Sequence, residues 1–375
     1  MRDWLKALSL VGLIAGSPLA HAQEEGEGEI PVLTDADQAA LAIMNAAIIN
    51  GHILPAYRRF ATSGAALAAA AQAYCAAPDA AGLDKLRAAF GDASDGWQGV
   101  QHLRFGPSEL FMRSSRLMFW PDPRDSVGRQ LAELLGKGGA AFTPANLAKQ
   151  SVSVQGLPAL ERLLFGDDAV AKLSGDADAA TLQCAAIQGI AANIAEMTAA
   201  MDKDWTMAPV DYAQILQNPG ADNERYRSPS EVTMEIFKSF HLAIEVVADR
   251  KLTKALGDKP EEAKPRLLEQ WRSGRPLRNV QVDLAAARAL WDSGMSAVAR
   301  QRDGELAALI DKALAATIVT AAEIKAPLGE ALADPVQRPA VEKLIAEAVA
   351  LKAIIAQRLA PVLGIPLGFN ALDGD

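Results

Sequence analysis

The sequence predicts an all-α protein built as two helical-bundle domains, and three observations carry that expectation. Half of the 375 residues are hydrophobic but only 5% are aromatic, and alanine, leucine, glutamate and lysine dominate, a balance that favours helix over strand. No stretch shows the strict alternation of a half-buried strand. Long helix-forming runs, about four to each half, flank a stretch from Met207 to Pro229 that holds three prolines and the turn former Asn218-Pro219-Gly220.

In chain order, the first element is an export signal. Arg2 and Lys6 flank the apolar run Ala7 to Ala15, Pro18 breaks it, and Ala20 and Ala22 offer small residues to a signal peptidase. The run is shorter than the roughly 20 residues of a spanning helix. A secretory signal over residues 1–22, cleaved after Ala22, is therefore expected, with no transmembrane segment in the mature chain. No cysteine lies at the cleavage point, which excludes the usual lipid anchor. Residues 23–33, rich in glutamate and glycine, read as a disordered acidic leader. The formal net charge of −9 argues against nucleic acid and against an anionic membrane as partners.

Residues 34–206 are the expected N-terminal bundle. Asp35 to Ala76 is almost continuously helix-forming, with Gly51, Pro55 and Gly64 as kinks or breaks. Asp79 caps a helix running toward Leu103. Gly106-Pro107 starts another toward Phe119, and the prolines of WPDP (120–123) stop it, because each disfavours helix in the residue before it. Helices over 124–136 and 144–150, the segment SVQGLPALERLLFG (153–166) and a long helix from Asp176 to Trp205 complete this half. Residues 207–228 are the expected linker. The C-terminal bundle, 229–375, is expected to be helical over 229–256, 279–302, 303–333 and 336–362, with loops at Lys259-Pro260 and Ser273-Gly274 and a break near Gly304.

Candidate chemistry is sparse. Cys75 and Cys184 survive processing, and an oxidising compartment favours one disulfide between them. With no third cysteine, a thiolate metal cage is ruled out. His241 and Glu245 lie four apart and share a helix face as candidate metal ligands, although an ordinary partly buried pair has the same spacing. Arg104, Arg113, Arg116, Arg124 and Arg129 make one region locally basic, a pattern that a solvated helix face also explains. Trp97 and Trp120 suit core or interface packing. Asp373 and Asp375 end the chain in NALDGD, which lacks the length and terminal glutamate of a calcium loop. There is no nucleophile elbow, phosphate loop or dinucleotide fingerprint.

One segment carries more. A histidine and a glutamate at i and i+3 project from one helix face and can ligate a single ion. GLPALE (156–161) has that spacing, with Pro158 at the histidine position. Together with the preceding SVSVQ, it resembles the signature segment of the imelysin-like family of exported bacterial proteins. DGWQGVQHLRFGPSE (95–109), MFWPDPR (118–124) and LGIPLGFNALDGD (363–375) extend the resemblance over essentially the whole mature chain.

The resemblance implies an all-helical fold of two bundle-like domains with a site near their interface, and a link to iron acquisition. Some members are described as metallopeptidases. Gly156 and Glu161 match the family motif, whereas Pro158 brings no donor atom; proline in a first helical turn costs little, because that amide has no intrahelical acceptor. The helix is preserved and the ligand is lost, which argues against zinc hydrolysis with its usual three protein ligands. The expectation is a non-catalytic periplasmic protein of iron uptake or handling. It would hold iron or haem, rather than zinc, between the domains, with Glu161, Arg104, Trp120 and His102 as candidate ligand-binding residues. Exported or outer-membrane iron-uptake components are the expected partners. A metallopeptidase using Glu161 with His102 or His241, and a purely protein–protein interaction module, are the alternatives.

Overall fold

The computed structural model describes residues 33–174 and 176–365. The expected signal, nearly all of the acidic leader and the NALDGD tail with Asp373 and Asp375 lie outside the described residues. Among the described residues every regular element is helical.

Helix α1, Asp35–Ile48, begins at a capping box: Thr34 accepts from the Asp37 amide while the Asp37 carboxylate accepts from the Thr34 amide. A π turn, Ile49–Ile53, carries it without a break into α2, Leu54–Ala76, and Pro55 falls where the regular ladder is already interrupted. Gly64, expected to kink or break this run, does neither. A Cβ there would come within 2.3 Å of Thr198 Oγ1, so glycine serves close packing of α2 on α6, Ala177–Thr206. Cys75 and Cys184 join the same two helices in a disulfide, Cα to Cα 5.6 Å. By length and hydropathy the 42-residue run Asp35–Ala76 would pass for a membrane span, but Leu41, Ile48, Tyr57, Phe60 and Leu67 are buried in the core.

Asp79 caps α3, Ala80–Gln98, as expected. The continuous helix expected from Gly106 to Phe119 is replaced by two short 3-10 turns, Gly106–Ser108 and Leu110–Met112, and a helix of five residues, Arg113–Leu117; Phe111 and Met112 both have φ of +56°. Side chains take up the carbonyls here. Ser108 Oγ donates to Leu103 and Phe105, Ser114 Oγ to Ser108, and Arg113 to Pro107, an alternative that competes with a helical ladder. Then follow α4, Ser126–Leu135, and α5, Leu157–Phe165. The connection after α6 is tied down: Tyr212 stacks edge-on against Trp205, and its hydroxyl lies 2.9 Å from that of Tyr226.

The second half opens with α7, Pro229–Glu245, capped by Ser228 and extended by a π segment, Val246–Thr253. Next come α8, Pro276–Leu290, α9, Gly304–Glu323, and α10, Arg338–Ile354. α9 stops ten residues short of the run expected to Ala333, because Pro327 lies just beyond it and residues 328–331 form a separate turn of helix.

α2, α3 and α6 pack together with α5 at their side, and α7, α8, α9 and α10 form a second group. α1 docks on α7 in that second group, where Asn45 bonds Pro229 O and Thr233 Oγ1. The helix assigned by sequence to the first bundle therefore spends its opening turns against the second. α3 meets α8 at the seam, and buried apolar residues of both halves form one contiguous core. The disulfide closes a loop with a sequence separation of 109. Replacing both cysteines by serine is expected to lower the stability of the oxidised protein by roughly 2–4 kcal/mol, read from the guanidinium midpoint at unchanged slope.

Candidate functional site: a cleft at the seam

The site is built from the first turns of α5. Gly156 precedes the helix with an extended backbone, and a Cβ on it would approach Arg116 O to 2.2 Å and Leu117 O to 2.3 Å. Glycine is needed there for close backbone approach. Pro158 lies in the first turn, as its chemistry allows. Leu157, Leu160 and Leu164 anchor the helix in the core with no exposure, and Glu161 is carried inward with them at 4%.

Glu161 meets the other half of the molecule. Its Oε1 accepts the Ser273 amide at 2.9 Å and the Ser273 hydroxyl at 2.7 Å. Burial pushes the Glu161 carboxyl above its usual range; the Ser273 bonds and the charge of Arg272 pull it back, and Glu269 pushes it up. The segment before Ser273 is shaped to reach this point. Gln270 takes a left-handed φ of +56°, unusual outside glycine; its amide donates to Ser94 Oγ on α3, and its carbonyl accepts from Ser273 Oγ.

Between this segment and the α4–α5 side opens a cleft of about 750 Å³. Trp120, Pro158, Glu161, Arg266, Trp271 and Arg272 all line it. Trp120 Nε1 donates to Leu267 O across the seam at 3.2 Å. Most charges in the wall already have partners. Asp122 accepts from the amides of Ser126 and Val127 at the start of α4, Asp125 pairs with Arg162, and Asp168 with Lys172. Arg266 and Arg272 instead lie over the Trp271 ring, at 5.5 and 4.3 Å from its centroid. Neither makes an ion pair with any described residue, although Glu161, Asp167 and Asp122 attract Arg272 from a distance.

Behind the cleft, the seam holds a buried polar network. Lys251, Glu269 and Asp283 are 2%, 1% and 3% exposed. Lys251 Nζ reaches Glu269 at 2.8 Å, Asp283 at 2.6 Å and Gln98 Oε1 at 2.6 Å. Gln98 and Asn279 also donate to Glu269, and Gln101 to Asp283. Burial pushes Asp283 up to about 7, against the opposing pull of Lys251.

Of the residues proposed from sequence, the structure brings Glu161, Pro158 and Trp120 to the cleft. It places His102 and Arg104 elsewhere: neither lines it. His102 Nε2 lies 3.2 Å from His52 Nε2 in the core, so one ring donates and the other accepts; burial holds His52 down to about 4 and His102 well below its usual value. Arg104 is half exposed, 3.7 Å from Glu109. His241 and Glu245 do share a face of α7 at 3.7 Å, too long for a hydrogen bond. Burial drives both toward their uncharged forms. Ser273, Trp271, Arg266 and Arg272 carry no sequence motif; their signal is only a tryptophan among arginines in a loop.

A resident metal at the motif does not fit these residues. Pro158 offers no lone pair, one Glu161 oxygen is held by Ser273, and among the described residues no three His, Cys, Asp or Glu side chains are gathered to hold an ion.

An all-helical molecule with its cleft at the seam, floored by a glycine–proline–glutamate helix start, defines the class. The imelysin family profile, that of the M75 peptidases, matches residues 53–355, and the chain belongs to the imelysin family. An imelysin-like protein from Psychrobacter arcticum 273-4 superposes with a TM-score of 0.74 at 22% identity, covering 90% of this chain and 100% of that one. An iron-regulated protein A precursor from Parabacteroides distasonis ATCC 8503 does so at 0.70 and 15% identity, covering 88% and 96%. No curated protein matches the chain.

Glu161→Ala leaves the Ser273 amide without its acceptor and is expected to cost about 1–3 kcal/mol, whereas Glu161→Gln keeps an accepting oxygen and is expected to cost less; urea denaturation distinguishes them. Asp283 has a raised pKa in the folded state, so its favourable contribution is complete below its unfolded value near 4 and is lost as pH rises through about 7. Asp283→Asn is expected to flatten the decline in stability between pH 4 and 7, measured as midpoint against pH beside the parent protein.

Proposed function

We propose that this is an exported periplasmic protein of iron uptake or handling that binds a ligand in the seam cleft without catalysing a reaction. The observation that carries the reading is the state of Glu161: the motif's remaining donor is engaged by Ser273 while a proline stands beside it, in a cleft large enough for a small molecule. Family membership supports the site's location, and the iron-regulated precursor of similar fold supports the iron connection. Arg2, Lys6 and the apolar run after them support export, with cleavage after Ala22. Exported or outer-membrane components of iron uptake are the partners this role requires.

The test is to purify the protein from its native periplasm, measure its iron and identify small molecules released on denaturation. The expected result is iron, as a complex, near one equivalent, without cleavage of an unfolded protein substrate. Ala132→Trp, at an exposed position of the cleft wall, should abolish that retention at unchanged helical content. Chelator-sensitive proteolysis by the purified protein would overturn the non-catalytic reading, and absence of iron would overturn the role in iron handling.

A further inference from the structure

The cleft wall contains two guanidinium groups that have no ion pair at contact distance with a described residue. Arg266 and Arg272 approach one ring, Trp271, and neither forms an ion pair with a described residue. The two like charges beside one aromatic ring repel each other and burial works against the charge of Arg272, while Glu161, Asp167 and Asp122 favour it from a distance. The nearby acids bond other groups at contact distance. Asp122 holds the start of α4, Asp125 holds Arg162, Asp168 holds Lys172, and Glu161 holds Ser273. Asp167 alone among the cleft carboxylates has no hydrogen bond or ion pair to a described residue.

We propose that Arg266, Trp271 and Arg272 form an anion subsite that takes an organic polycarboxylate, free or as its ferric chelate. The proposal rests on the reading of this cleft as the ligand site and adds the chemical class of the ligand. Each planar guanidinium fork matches a carboxylate in two parallel hydrogen bonds, so two forks ask for two carboxylates. Asp167 on the same wall opposes a compact, highly charged anion more than a dispersed one, which favours carboxylates over phosphate. The apolar remainder of the lining, including Phe119, Leu131 and Leu267, suits the carbon skeleton of such a ligand.

Titration calorimetry of the full chain at low ionic strength, with citrate, ferric citrate and inorganic phosphate as separate probes, tests this. Citrate or ferric citrate should bind at one site, and the tighter of the two identifies the form taken up. Arg266→Ala and Arg272→Ala should each weaken that binding roughly tenfold or more. Arg272→Lys should recover only part of the loss, because an ammonium cannot make the paired bonds. Asp167→Asn should tighten binding. Arg278→Ala, which disrupts a pair with Asp95 outside the cleft, should change nothing. Absence of citrate and ferric citrate binding, binding insensitive to both arginine substitutions in variants of unchanged circular dichroism, or tighter binding of phosphate would each overturn the proposal. Iron retained from the periplasm and lost in Ala132→Trp, with no polycarboxylate bound, would sink this inference alone; arginine-dependent polycarboxylate binding with no periplasmic iron would sink the iron role alone.

Discussion

Glu161 and Ser273 stand 112 residues apart in the chain, and the two hydrogen bonds between them close the seam beside the cleft. One oxygen accepts both donors. At a side chain this buried, bonds to a charged acceptor are stronger than at the surface, while desolvation works against the charge itself. The opposed effects on the Glu161 carboxyl, upward from burial and downward from Ser273 and Arg272, are the two sides of that balance. Because Ser273 is held, the residues just before it are held too: Gln270 in its left-handed turn, and Trp271 and Arg272 in the cleft wall. The clasp therefore sets the shape of the cleft without occupying it.

A second layer of polar contacts fixes the same segment from behind. Glu269 lies in the Lys251–Asp283 network, Gln270 joins Ser94 and Asn279, and Ser273 reaches Glu161. Five consecutive residues thus connect α3, α5, α8 and the π segment after α7. Buried ion pairs of this kind are weak evidence for stability, since the cost of desolvation offsets much of the attraction. Their effect is on register: each donor has an acceptor only when the helices meet in one alignment, and a slip along the seam would leave charges buried and unpaired.

Much of the fold was legible in the residues. Composition and the absence of alternation indicated helices, Asp79 marked one start, and the two cysteines behind a secretory-signal pattern indicated their own pairing. What misled was any residue whose meaning depends on a distant neighbour. Gly64 reads locally as a weak point, and only the approach of Thr198 shows it to be a contact. The stretch after Gly106 has a helix former at most positions, yet serine hydroxyls and Arg113 take the carbonyls a helix would use. At the candidate site, the motif drew attention to Glu161 and Pro158, which the structure places in the cleft wall. The partner Ser273 was invisible because a serine in a loop has no periodicity, and Lys251 was invisible because a buried lysine and a solvated one have the same letter.

The replacement at position 158 gains a physical sense from this geometry. An ion held by a histidine and a glutamate draws further donors toward it and so ties together the elements that supply them. Here Glu161 ties α5 to the second half through Ser273, an arrangement that needs no third ligand and leaves the first turn of α5 free to carry proline. Glu161 is thus bonded across the seam through one oxygen, while Arg266 and Arg272 lie over the Trp271 ring in the cleft wall without an ion pair to a described residue.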